Sequence, residues 1–129
     1  MNKIIVEVSI GELLDKISIL EIKQEKIKDP EKLKFINNEH SILKDQLKKN
    51  IKSDEKLNNL YQSLKEINAK LWVIEDDKRQ CEKDKDFVEK FIKLSRDVHF
   101  LNDDRAKIKL EINNHTGSAI KEIKEYTNY

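Results

Sequence analysis

Arg96, His99, Asn102, Asp103, Arg105 and Lys109 crowd into one short stretch of chain, with Asn113 just beyond. Read as a helix, Arg96, His99, Asp103 and Ala106 share a face by steps of three and four, and Asn102, Lys109 and Asn113 lie on the face beside it. Guanidinium, ammonium and amide groups set this way suit the phosphate of a sugar or nucleotide. They equally suit a buried ion-pair network that fixes helix register, with Arg105 paired to Glu21 or Glu66. Both readings stay open on residue type alone. A second constellation is Glu75-Asp76-Asp77 with Arg79 and Glu82. Glu75, Arg79 and Glu82 recur at i, i+4 and i+7, on a face that also carries Trp72. That pattern is an ion-pair ladder on a solvated face, an Arg-centred anion site, or a carboxylate site for Mg²⁺ with Glu75, Asp76 and Asp103 as ligands. Lys16 and Lys23, seven residues apart, share one edge of an earlier helix and add two more cations. No Ser or Cys accompanies His40 or His99 in a nucleophile pattern.

These side chains need rigid elements to position them, and the apolar spacing supplies helices. Residues 3–8, KIIVEV, alternate like a short strand or an extended clamp, which needs a partner such as its own copy in a dimer. Ser9 and Glu12 then form a capping box that opens a helix to about Lys28. Ile10, Leu13, Leu14, Ile17, Leu20 and Ile27 make its main stripe, and Ile19 and Ile22 a second face, so this helix is expected at the centre of a bundle or in a subunit interface. Asp29-Pro30 restarts the helix. Leu33, Ile36, His40, Leu43, Leu47 and Asn50 follow with heptad spacing, and His40 reads as a hydrogen-bonded core residue. Ser53 is the expected cap of a third helix over about 54–82, and Asp86 with Glu89 the box that opens a fourth, to about Asn113. The short turn between two long helices predicts a hairpin over about 54–113. Gly117 suits a left-handed helix end, and Ile120, Ile123 and Tyr126 space as a short final helix. The expected fold is therefore mainly α: one domain over 1–129, an antiparallel bundle of four long helices with an extended N-terminal segment and a short C-terminal helix.

Composition narrows the function further. The chain has 129 residues, 26 Lys+Arg against 25 Asp+Glu, and a net charge of +1. That balance argues against a dedicated nucleic-acid binder. Only three of the cations are arginine, at 79, 96 and 105, so those positions stand out from an ordinary lysine surface. Two glycines, Gly11 and Gly117, cannot build a phosphate-cradling loop. One cysteine, Cys81, excludes a disulfide framework and a Cys-type zinc site. No apolar run is long enough to insert in a membrane, and no secretory signal opens the sequence, so a cytoplasmic location is expected.

Four segments together carry a resemblance: SIGELLDKISILEIK (9–23), LWVIEDDKRQCE (71–82), FIKLSRDVHFLNDDRAKIKLEIN (91–113) and GSAIKEIKEY (117–126). Their ordered set resembles a small bacterial domain family of unknown function whose members lie among cell-surface polysaccharide and glycosyltransferase genes. The chain departs from that family's pattern at Ser95 and His99, where Ala and Tyr are expected. The resemblance implies a context rather than a mechanism. The resulting expectation is a cytoplasmic accessory protein of surface-polysaccharide assembly that binds a partner enzyme or an anionic sugar or nucleotide. Lys16, Lys23, Arg79, Arg96, Asn102, Arg105, Lys109 and Asn113 are its candidate contacts. Two alternatives remain: a small metal-dependent helical enzyme acting on a nucleotide or nucleotide sugar, and a coiled-coil-like scaffold without a pocket. A homodimer is expected under each.

Overall fold

Ser9 opens the first helix, α1 (Ile10–Lys26), by accepting the Glu12 N–H at 3.1 Å. Glu12 does not complete the expected box; its carboxylate accepts from Lys109 instead. Asp29 caps α2 (Pro30–Asn50) through the Glu31 N–H, with Pro30 in the first turn. The cap of α3 (Glu55–Asp84) is Asp54 rather than Ser53: the carboxylate accepts the Leu57 N–H at 2.7 Å, while the Ser53 hydroxyl donates to Asn58. Lys85, at φ 58°, ends α3 in the left-handed region. The last helix, α4 (Glu89–Thr116), starts at Val88 without a side-chain cap, and Gly117 at φ 68° ends it. This computed structural model describes residues 2–129. Among them are four helices and no strand. No helix of the described residues is long and apolar enough to cross a membrane.

Helix α1 is the hub. It packs on α2, α3 and α4, and α3 packs on α4. Leu14, Leu57, Leu64 and Ile112 form the core, flanked by Ile10, Leu47, Ile51, Leu60, Tyr61 and Ile108. Ile17, Leu20 and Ile22 are also buried, which bears out a helix apolar on two sides. The closeness of α1 to α4 depends on Gly11. A Cβ there would lie 2.6 Å from the Lys109 carbonyl oxygen and 3.0 Å from Asn113 Oδ1. Helix α2 carries no buried residue. Over residues 69–101 of the α3/α4 pair, only Cys81 is buried. The bundle is thus well covered at one end and a bare pair of helices at the other.

Both termini differ from a continued helical pattern. Residues 2–8 are exposed and form no strand pairing among the described residues. The short helix expected beyond Gly117 does not form; residues 118–129 follow α4 as an irregular segment. Ser118 explains this. Instead of capping a next turn, its hydroxyl accepts the Ile10 N–H at 3.1 Å and donates to the Ile120 carbonyl at 2.7 Å. Satisfying the first N–H of α1 outweighs starting another short helix, which is costly to nucleate.

Candidate functional site

Where α1 meets α4, Asp15 is buried to 2% exposure. Arg105 clamps it from α4 with two donors, Nε at 3.0 Å and the NH2 group. Asn68 of α3 donates to the same carboxylate at 2.8 Å and also to the Ser18 hydroxyl. Burial alone would raise the Asp15 pKa, but the Arg105 and Asn68 hydrogen bonds and the Arg105 and Lys109 charges outweigh it and hold it below the ordinary carboxylate value. Asp15 in turn raises the pKa of Arg105. Lys109 is next along α4 and almost as buried. Its ammonium meets Glu12 at 2.7 Å, Glu122 at 3.2 Å and Asp15 at 3.6 Å. Burial works to lower its pKa, and these three carboxylates more than offset that. Two cations therefore face three carboxylates, and every one of these groups is satisfied.

Glu122 differs from the other two carboxylates. It belongs to the irregular C-terminal segment, its side chain is 42% exposed, and it also pairs with Lys124 at 2.9 Å. The segment forms one wall of a groove of about 640 Å³, and α4 forms the other. His99, Asn102, Asp103, Arg105 and Lys109 line the α4 side; Lys124, Tyr126, Thr127 and Tyr129 line the other. Tyr129 sets its ring edge against His99 at 5.4 Å and bonds its hydroxyl to Asp103. The groove thus joins a floor of paired charges to aromatic walls. Such a site can hold an anionic group on Arg105, Lys109 and Lys124 while a ring lies against His99 or the tyrosines.

A model of the family of unknown function DUF6165 matches residues 4–129. The chain belongs to that family. Comparison with curated proteins and with solved structures returns no match. The DUF6165 match takes in all four helices, the buried ion pairs and both walls of the groove.

Of the candidates named from the DUF6165 chain's sequence, Asn102, Arg105 and Lys109 meet at the groove. Arg105 is paired to Asp15, not to Glu21 or Glu66. Asn113 is buried and structural, its Oδ1 accepting the Gly11 N–H at 2.7 Å. Arg96 is exposed and lies 5.6 Å from the Phe100 ring. Lys16 and Lys23 stay on α1, away from the groove lining. Arg79 pairs with Glu75 on the surface of α3. Glu75, Asp76 and Asp103 are not gathered: among the described residues no three acidic, His or Cys side chains are placed to hold a metal. His40 is hydrogen-bonded as expected but half-buried rather than in the core, its Nε2 at 2.9 Å from Glu21, which also accepts from Tyr61 and lies near Lys65.

Sequence reasoning missed the part that Asp15, Asn68, Glu12 and Glu122 play in this cluster. A signal for Asp15 existed. Gly11, Asp15, Ser18 and Ile22 follow one another by steps of four, three and four, and all are buried. A carboxylate in a stripe of small residues marks a close helix approach with a cation opposite. Nothing in the sequence flagged Glu122, because its contact depends on a segment without regular periodicity.

Proposed function

We propose that this DUF6165 protein is a binding module whose groove along α4 takes a small anionic ligand of the sugar-phosphate or nucleotide-sugar class. The observation that carries this reading is the Lys109–Glu122 contact. It puts a carboxylate from an exposed segment on a nearly buried ammonium at the edge of the groove. Lys109 is shared among three carboxylates, so an incoming phosphate replaces one of them, and Glu122, on the exposed segment, is the one free to leave. Asn102 and the aromatic walls offer hydrogen bonding and stacking to the rest of the ligand. The resemblance to proteins encoded among polysaccharide genes supports a cytoplasmic accessory role in surface-polysaccharide assembly. The reading takes α3 and α4 as an antiparallel pair. Its support is that His115 meets Asp54 near one end while Lys78 lies 5.9 Å from the Phe91 ring near the other.

Thermal unfolding against sugar phosphates, nucleotides and nucleotide sugars, with and without Mg²⁺, tests this. A ligand at a hundred times its dissociation constant adds about 2.7 kcal/mol and raises the midpoint by several degrees. Glu122→Gln removes the competing charge, so the same ligand binds severalfold more tightly, within the ~0.2–1 kcal/mol of an exposed ion pair. A flat panel, or weaker binding in Glu122→Gln, overturns the reading. A shift that appears only with Mg²⁺ favours the metal-dependent alternative.

A further inference from the structure

Residues 2–8 are the most exposed apolar stretch of the chain. Ile4 is 90% exposed, Ile5 92%, Val6 67% and Val8 41%. The segment is nonetheless fixed at its base, since Ser9 is buried and the Ile10 N–H is bonded to Ser118. Paired as a strand, the run alternates its side chains. Asn2, Ile4, Val6 and Val8 then share one side, apolar but for Asn2, and Lys3, Ile5 and Glu7 share the other. Both edges of its backbone are open to pairing.

We propose that this segment is a dimerisation strand whose partner is the same segment of a second copy, antiparallel, with Ile5 opposite Ile5. The charges select that register. Opposed residues then sum to ten in number, so each Lys3 lies across from the other copy's Glu7, and Ile4 lies across from Val6. Opposed side chains point to the same face of a sheet. One face of the ribbon therefore carries two ion pairs around an isoleucine pair, and the other is apolar but for Asn2, which lies across from Val8 at each end. A slip of one residue sets Lys3 across from Val8 and Glu7 across from Ile4, mixing charge into the apolar face. A slip of two leaves both charges without partners in the strand. The arrangement is two-fold symmetric and closes on itself. A two-stranded ribbon alone is marginal, so its apolar face needs cover. Ile120 and Ile123, 39% and 75% exposed, follow directly after Ser118, at the junction from which the strand departs.

Light scattering on the full chain tests this first: the expected mass is twice 15.3 kDa. Ile5→Pro removes a ladder donor and is expected to give a monomer with unchanged helical circular dichroism, because the segment lies outside the helices. Ile5→Cys is expected to form a disulfide-linked dimer on mild oxidation, and Ile4→Cys not to, since position 4 faces position 6. Cys81 is buried and stays out of the reaction. Glu7→Lys weakens the dimer, and Lys3→Glu with Glu7→Lys restores it. A monomeric parent chain, an Ile5→Pro variant that stays dimeric, or equal cross-linking at positions 4 and 5 overturns the proposal. The last two outcomes assign the strand to another partner, such as the C-terminal segment of either copy.

Discussion

Arg79 and Arg105 are both guanidinium groups set among carboxylates on the α3/α4 pair. Arg79 reaches Glu75 one turn away at 3.1 Å, and 73% of its side chain is exposed. Arg105 reaches past its own helix to Asp15, and 29% of its side chain is exposed against 2% of Asp15. Each has an acid within a turn of it in the sequence. The separating feature is α1. Where α1 lies on the pair, water is excluded and charges must find partners across helices. Where it does not, over residues 69–101, the same residue types stay in solvent and pair with their own helix.

The sharpest way to break the comparison is Arg105→Leu. It leaves Asp15 buried with Asn68 and Lys109, the latter at 3.6 Å, as its remaining partners. Removing one member of a buried pair is expected to cost about 3 kcal/mol, read from urea unfolding. Asp15→Asn in the same chain is expected to recover part of the loss, because no uncompensated charge remains. If Arg105→Leu leaves stability unchanged, the cluster is not structural, and the contrast with Arg79 fails.

Gly11→Ala attacks the contact between α1 and α4 rather than its charges. The added Cβ meets backbone at 2.6 Å, and backbone yields less readily than a side-chain tip. Displacing the two helices is expected to cost about 2 kcal/mol, within the usual range for overpacking. The readout is again the unfolding midpoint. An unchanged or raised midpoint would mean that α1 is loosely held and that burial of Asp15 has another cause.

Acid sharpens the comparison with a smaller effect. The Asp15 pKa in the folded chain lies below the ordinary 3.8. A depressed carboxylate contributes stability in full above its unfolded pKa and loses it as pH falls through the folded value. The parent chain is therefore expected to hold this contribution down to about pH 4 and to lose it below, while Asp15→Asn flattens that limb. In Arg105→Leu the limb shrinks. The Arg105 hydrogen bonds and charge no longer hold the Asp15 pKa down against burial, so that variant is expected to lose less stability as acid neutralises the carboxylate. Unfolding curves between pH 3 and pH 7 compare the three chains, and an identical acid limb in all of them would sink the assignment.

The helices were legible because their signals are local. Asp29-Pro30 and Gly117 punctuate the chain where expected. The site was half legible. Arg105 stood out as one of only three arginines, but its partner was not readable, because pairing depends on which face α1 turns to α4. Gly11 and Ser18 carry that information only once their closeness to α4 is known. The C-terminal segment was misread for a related reason. Ile120, Ile123 and Tyr126 keep helical spacing, yet Ser118 is committed to α1 and the Glu122 carboxylate to Lys109. Contacts distant in sequence overrode a weak local pattern.

Arg79→Leu has the smallest expected effect and gives the comparison its other arm. Its hydrogen bonds go to the Glu75 carboxylate and carbonyl, both within its own helix. Exposed pairs of this kind contribute about 0.3–0.5 kcal/mol and weaken with salt. Arg79→Leu is therefore expected to stay within about 0.5 kcal/mol of the parent in urea, with the small difference fading at high salt. Arg105→Leu should keep most of its loss under the same salt, because a buried pair is poorly screened. A loss of several kcal/mol at Arg79 would mean that something covers the distal half of the α3/α4 pair in solution. That half would then be an interface, and the contrast between the two arginines would hold only for an isolated chain.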